Sequence, residues 1–216
     1  MINTDKYREN FRPYITKAFL SIPYIDKPSI LDIGCGSGVP TIILAEISNG
    51  IITAIDIDKE CLEILNEKIH KSGLEKRIIT QKCSMLNMPF PPNSFDIIWA
   101  EGSITMIGFK KGISKCRAFL KQGGYLVVHD DESNIKRKID DISKSGYKLL
   151  KQLFISEKAW WQEYFAHLEK EINERYLVHD KKPKGKDRRI NDEIIMYRKN
   201  PDRFNSVYFI MKKISD

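Results

Sequence analysis

Residues 30–38 read Ile-Leu-Asp-Ile-Gly-Cys-Gly-Ser-Gly, and the next apolar run ends on an acid, Asp56. No other stretch constrains the fold so strongly. Residues 29–33 form a short apolar segment of the kind buried on both faces of a parallel sheet. Gly34, Gly36 and Gly38 then allow a tight turn and leave backbone N–H groups open to a ligand. Residues 39–47 predict a helix with Pro40 in its first turn, where the missing N–H is tolerated. Residues 51–55 predict a second strand with Asp56 at its tip, where a carboxylate can accept hydrogen bonds from both hydroxyls of a ribose. The order strand, glycine loop, helix, strand, acid is a nucleoside-binding half-sheet. The glycine spacing is G-x-G-x-G and not the G-x-G-x-x-G that seats a pyrophosphate, which disfavours a nicotinamide oxidoreductase.

The rest of the chain continues the alternation. Tyr7, Phe11, Tyr14, Ile15, Ala18 and Phe19 fall at helical spacing, with Pro13 either kinking that helix or starting its second half. Residues 59–72 predict a helix, 77–82 a strand, 88–94 a proline-rich loop and 95–100 a fourth strand. A helix over 109–120 is expected to break at Gly123-Gly124 before a fifth strand over 125–129. A charged helix over 133–145, a strand over 147–155 and a closing strand over 207–211 follow. Strands that alternate with helices predict a parallel α/β sheet with helices on both faces. About fifty residues, helical in pattern and rich in aromatics, separate the last two strands.

The motif Asp32-x-Gly34-x-Gly36-x-Gly38 resembles the first motif of the class I S-adenosylmethionine (SAM) dependent methyltransferases. Residues 87–96 resemble the N-L-P-F-x-x-N-S-F-D stretch of the ubiquinone-biosynthesis group of small-molecule enzymes. Residues 119–126 resemble the L-K-P-G-G-x-L entry to the fifth strand. Residues 101–109 are similar to the E-G-x-I-x-x-I-G-F run of a largely uncharacterised microbial subgroup, which also carries an aromatic stretch like Trp161, Tyr164 and Phe165. The resemblance implies a Rossmann-like, seven-stranded, mostly parallel sheet whose last strand runs antiparallel between the fifth and sixth. It implies one domain over 1–216: a helical segment over 1–28, a SAM-binding core over 29–131, and a helical, aromatic lid inserted over 156–204. The cofactor contacts it implies are Asp32, Gly34, Cys35, Gly36, Gly38, Asp56, Ile57, Ser84, Met85 and Glu101, with S-adenosylhomocysteine as product.

Methyl transfer requires alignment and exclusion of water more than a dedicated base, so no catalytic dyad is expected. Glu101 and His129 are the candidates for catalysis, since each stands at the C-terminal end of a strand and histidine titrates near neutrality. His167 and His179 are weaker alternatives. Trp160, Trp161, Tyr164 and Phe165 are candidates for contact with the acceptor, or form an ordinary packed face. The expected acceptor is a small molecule bearing O or N. The net charge is +7, of which residues 181–189 (six cations, one anion) hold +5, so the chain carries one basic loop. An RNA or protein methyltransferase recruited by that loop is the alternative, and a non-catalytic SAM-binding module is another. Nucleic acid is disfavoured by the lack of a stacking-plus-basic strip. Four cysteines without a C-x-x-C pair predict reduced thiols, no metal site and a cytoplasmic protein. No apolar run has membrane length, and residues 1–10 have no signal-peptide core. Oligomeric state is left open.

Overall fold

Apolar residues on alternate positions of each predicted strand need cover on both sides, and the molecule supplies it. A computed structural model describes residues 2–176 and 181–214. The strands are β1 Ser29–Ile33, β2 Ile51–Asp56, β3 Ile78–Lys82, β4 Phe95–Glu101, β5 Leu120–Asp131, β6 Tyr147–Ile155 and β7 Ser206–Lys213. They form one sheet in the order β3-β2-β1-β4-β5-β7-β6. β1 to β5 pair in parallel, and β7 runs antiparallel to both of its neighbours.

Side chains alternate between the faces with the two-residue period of a strand. Ile30, Ile97, Trp99, Tyr125 and Val127 enter one core; Leu31, Ile33, Ile98, Leu126 and Val128 enter the other. The first core is covered by α2 Arg12–Phe19, α3 Val39–Ile47 and α4 Lys59–Lys71. α5 Phe109–Phe119 and α6 Ile135–Lys144 cover the second. Pro13 stands in the first turn of α2, so it opens the second half of the N-terminal segment after a 3-10 turn at Glu9–Phe11. A short α1, Asp5–Arg8, precedes that turn.

Between β6 and β7 lie α7 Glu157–Trp160, a π-helical turn Trp161–Phe165, α8 Ala166–Arg175 and α9 Gly185–Lys199. They add Phe165, Leu168, Ile172, Ile190 and Ile194 to the first core. The inserted helices and the N-terminal helices therefore share one face of the sheet.

Three expectations are corrected. Gly123 and Gly124 do not precede β5; the strand already begins at Leu120 and runs through them. They belong to a shift of register opposite Phe95 and Ile97, where a Cβ on Gly124 would stand 3.0 Å from the Asp96 carbonyl oxygen. Gly124 is glycine because backbone approaches backbone there, and Gly123 because its φ is +72°. Second, β5 ends at Asp131, so His129 is two residues inside the strand. Third, residues 185–189 of the basic run are helical and begin α9. Asp187, the single acid in the run, makes this possible. It is buried and accepts from Ile2 N at 2.9 Å and from the Tyr176 hydroxyl at 2.6 Å.

Candidate active site

The loop after β1 is fixed from below. Gly34 N and Cys35 N both donate to the Ile55 carbonyl at the end of β2, at 2.8 and 3.0 Å. Gly36 N donates to Asp56 Oδ2 at 2.8 Å, and Asp58 N to Asp56 Oδ1 at 2.9 Å. Each carboxylate oxygen keeps a lone pair for a further donor. Gly34 and Gly38 are held by contact: an added Cβ would stand 2.5 Å from Ser103 Cβ and 2.2 Å from Leu65 Cδ1 respectively. Gly36 differs. It has φ +53°, yet a Cβ there would meet nothing within 4 Å. The loop thus has two glycines that face protein and one that faces open space beside an acid.

Asp32 is buried and accepts from Thr41 Oγ1 at 2.6 Å, which ties β1 to the first turn of α3. Burial raises its carboxyl to about 7. Cys35 is buried too, and burial pushes its thiol up, away from thiolate chemistry. Ile57 is 68 % exposed just beyond Asp56. Ser84 Oγ accepts from Leu86 N at 3.2 Å, starting a short 3-10 turn at Met85–Asn87 after β3, and Met85 packs on the second core. The open Gly36, the acid above its N–H and the exposed apolar Ile57 suit an adenosine-bearing cofactor.

The strand register places Glu101 of β4, His129 of β5 and Tyr208 of β7 side by side. Glu101 Oε1 accepts from Trp99 Nε1 at 2.8 Å and from the Tyr208 hydroxyl at 2.9 Å. Burial raises the Glu101 carboxyl, and the two hydrogen bonds and the cation of Arg8 oppose that rise. His129 is stacked on Tyr208, with ring centroids 4.4 Å apart, and Nε2 lies 2.9 Å from Ser206 Oγ. Burial and Arg8 hold its imidazole down at about 3. Such a ring is neutral at physiological pH and too weakly basic to retain a substrate proton, which counts against the reading of His129 as a general base.

Beside this row opens a cavity of about 680 Å³, lined by Arg8, Glu101, His129, Trp160, Tyr164 and Phe165 among others. Three of the four aromatics expected near an acceptor therefore line it. Trp161 does not: its ring stacks on Tyr197 at 5.1 Å, with the Arg198 guanidinium 4.0 Å from its centroid. His167 stacks on Tyr7 at 5.0 Å, away from the cavity. His179 lies outside the described residues. The sequence did not single out Arg8, Glu193, Arg203 or Ser206, which also line the cavity. Each comes from a segment distant in the chain, and no local motif marks it.

Residues 30–124 match the model of a methyltransferase domain. That span begins in β1, holds the glycine loop and Asp56, and ends in β5. Residues 30–124 are a class I methyltransferase domain. The cofactor of this family is SAM. The chain is 30 % identical over 102 residues to 27-O-demethylrifamycin SV methyltransferase of Amycolatopsis mediterranei, covering 47 % of this chain and 38 % of that one. It is 31 % identical over 149 residues to phosphoethanolamine N-methyltransferase of Plasmodium falciparum, covering 67 % and 55 %. The chain thus spans only part of the length of the relatives it matches. Among solved structures, the 4+2 cyclase SpnF superposes with TM-score 0.79 at 16 % identity, covering 95 % of this chain and 82 % of that one. Geranyl diphosphate methyltransferase in complex with SAM superposes with TM-score 0.68 at 13 % identity, covering 94 % and 85 %. These likenesses are of the fold, over nearly the whole of this chain.

The basic run does not form a free cationic strip along its whole length. Lys186 Nζ lies 3.0 Å from Glu60, and Arg188 faces Asp192 one turn on at 3.9 Å. Among the described residues no group of acids, histidines and cysteines is arranged to hold a metal ion, and no helix is long and apolar enough to cross a membrane.

Proposed function

We propose that this protein transfers a methyl group from SAM to a small molecule held in the aromatic cavity beside Glu101. The observation that supports this reading is that the ends of β1 and β4 adjoin: Ser103, two residues beyond Glu101, donates its hydroxyl to the Ile33 carbonyl at 2.6 Å, just before the glycine loop. The glycine loop and Asp56 form the cofactor corner, and Glu101–Gly102 form the wall shared with the cavity. SAM supplies an electrophilic methyl carbon on a sulfonium, and the protein has to align a lone pair with it. Positioning alone can lower such a barrier by roughly 7–11 kcal/mol.

The residues have distinct tasks in this reading. Asp56 takes the ribose hydroxyls while Gly36 leaves room for the adenosyl group. Ile57 and Met85 lie against the adenine, and Ser84 orders the turn beneath it. Asp32 keeps α3 in place through Thr41. Glu101, fixed by Trp99 and Tyr208, turns its second oxygen to the ammonium of the cofactor or to the acceptor. Trp160, Tyr164 and Phe165 form the lid wall that keeps water from the reacting centre, and the acceptor atom is O or N. The curated relatives named above act on O and on N by name, which supports a nucleophile of that kind without choosing between them.

The test is incubation with isotopically labelled SAM and a small-molecule extract of cells. Labelled methyl is expected in a small product, and S-adenosylhomocysteine is expected to bind in calorimetry at micromolar level. Label in RNA or protein would favour recruitment by residues 181–189. Binding with no labelled product in any fraction would leave a SAM-binding module, and no binding at all would remove the assignment.

A further inference from the structure

Ser206 Oγ is buried between two nitrogens. Trp160 Nε1 donates to it at 2.9 Å, and His129 Nε2 lies at 2.9 Å on the other side. An indole N–H can only donate, so one lone pair of the hydroxyl is taken and its own proton needs an acceptor. Among the described residues the only acceptor against Ser206 Oγ is His129 Nε2. That fixes the imidazole with its single proton on Nδ1. The ring is held in place as well as in tautomer, lying between Tyr208 at 4.4 Å and Trp160 at 6.1 Å, nearly parallel to both.

Nδ1 of His129 has no hydrogen-bond partner among the described residues. The half-buried residue lines the cavity. The ring thus keeps one nitrogen, Nδ1, free of protein partners among the described residues while the residue lines the proposed acceptor cavity. The cation of Arg8 and burial both disfavour a second proton, so the ring stays a neutral donor as pH falls toward the acid range.

We infer that His129 is a specificity-determining donor: its Nδ1–H, fixed by the Ser206–Trp160 pair, hydrogen-bonds an unprotonated oxygen of the acceptor molecule, a carbonyl or carboxylate oxygen. The same cavity is lined by the guanidiniums of Arg8 and Arg203 and by the acids Glu101, Asp130, Asp131 and Glu193, so its charge does not select the carboxylate over the carbonyl. This rests on the proposal that the cavity holds the acceptor. It gives His129 the opposite task to a base, since the residue gives a hydrogen bond and never takes the substrate proton.

The experiment has two arms. In the first, protein labelled with ¹⁵N-histidine is read by long-range ¹H–¹⁵N correlation, with His129→Asn identifying the signal. A protonated Nδ1 and bare Nε2, unchanged down to about pH 5, is expected. In Ser206→Ala the preference for that tautomer is expected to be lost. An Nε2–H tautomer in the wild type, or a titration near pH 6–7, overturns the inference whether or not an acceptor is known. In the second arm, labelled-methyl transfer into the cell extract is compared for His129→Asn, whose amide can replace Nδ1–H, and His129→Phe, which keeps the stack and has no donor. Transfer is expected to fall at least tenfold in the Phe variant and within threefold in the Asn variant, with S-adenosylhomocysteine affinity unchanged in both. Wild-type transfer retained in the Phe variant overturns the inference. Absence of any wild-type product strikes the proposed function instead, and the tautomer then decides the donor geometry alone.

Discussion

At the scale of single residues, two aspartates of the first half-sheet have separable tasks. Asp56 is half-buried and already engages Gly36 N and Asp58 N with one oxygen each. Replacing it with Ala removes the charge that a ribose would share. Calorimetry should show S-adenosylhomocysteine affinity falling by about 1.5–3 kcal/mol, on the order of 10- to 100-fold, with the fold retained by circular dichroism. Unchanged affinity would place the ribose elsewhere. Asp32 is an interior carboxyl whose folded value is raised to about 7. The folded state therefore binds its proton more tightly than the unfolded chain does. Its contribution is complete below the ordinary carboxylate range and is lost as pH rises through about 7. Asn keeps the oxygen that Thr41 needs without a charge, so the melting temperature of Asp32→Asn should gain on wild type as pH rises from about 4 to about 7 and hold its lead above that. A constant difference would mean that Asp32 is ionised throughout. Both aspartates were legible in the sequence because strand, loop and second strand are contiguous and their spacing sets the geometry. Ser206 and Arg8 were not, because they reach the cavity from β7 and from α1, and only the finished sheet brings them to His129 and Glu101.

Among elements, the glycine loop separates two reasons for lacking a side chain. Gly38 has φ +84° and presses on Leu65 of α4, with 2.2 Å left for a Cβ. Gly38→Ala should cost about 1–3 kcal/mol for overpacking, in addition to about 1–2 kcal/mol for the left-handed backbone. Gly36→Ala meets no protein atom and should cost only about 1–2 kcal/mol of stability, yet its methyl group would occupy the space left for the cofactor. Chemical denaturation and calorimetry together check this. The Gly38 variant should lose mainly stability and the Gly36 variant mainly affinity, and the reverse would refute the division. Periodicity gave most strands and helices correctly, since each carries its own apolar pattern. It failed at Gly123-Gly124 and over 185–189 for a common reason. A glycine pair reads as a helix stop, and a cationic run reads as a loop, until a partner is known. Here the partners are the Asp96 carbonyl across the sheet and the Ile2 amide with Tyr176 around Asp187.

At the scale of the whole molecule, the N-terminal segment bridges the glycine loop and the helices inserted between β6 and β7. Asp5 of α1 accepts from Ser37 Oγ, inside the glycine loop, at 2.6 Å and from Lys68 Nζ at 2.7 Å. Lys68 also donates to the Ser37 carbonyl at 2.9 Å. On its other side the same segment meets the inserted helices: Tyr7 hydroxyl to Glu171 at 3.1 Å, Asn10 Nδ2 to the Glu163 carbonyl at 2.8 Å, and Phe11 against Trp160 at 4.4 Å. Residues 2–19 therefore span from the cofactor loop to the wall of the cavity, and Arg8 hangs from this bridge into the cavity. Ordering the loop should then order the insertion, because one segment is bonded to both. Hydrogen exchange should show slower exchange over 2–19 and over 157–175 together when S-adenosylhomocysteine binds, although the proposed cofactor contacts lie in neither segment. Asp5→Ala leaves the ligand contacts intact and removes both side-chain bonds to the loop and Lys68. In that variant, protection should persist around residues 34–38 and vanish over 157–175, with affinity weakened by less than in Asp56→Ala. Protection of the insertion that survives the loss of Asp5 would show the coupling to run through the sheet and not through the N-terminal bridge.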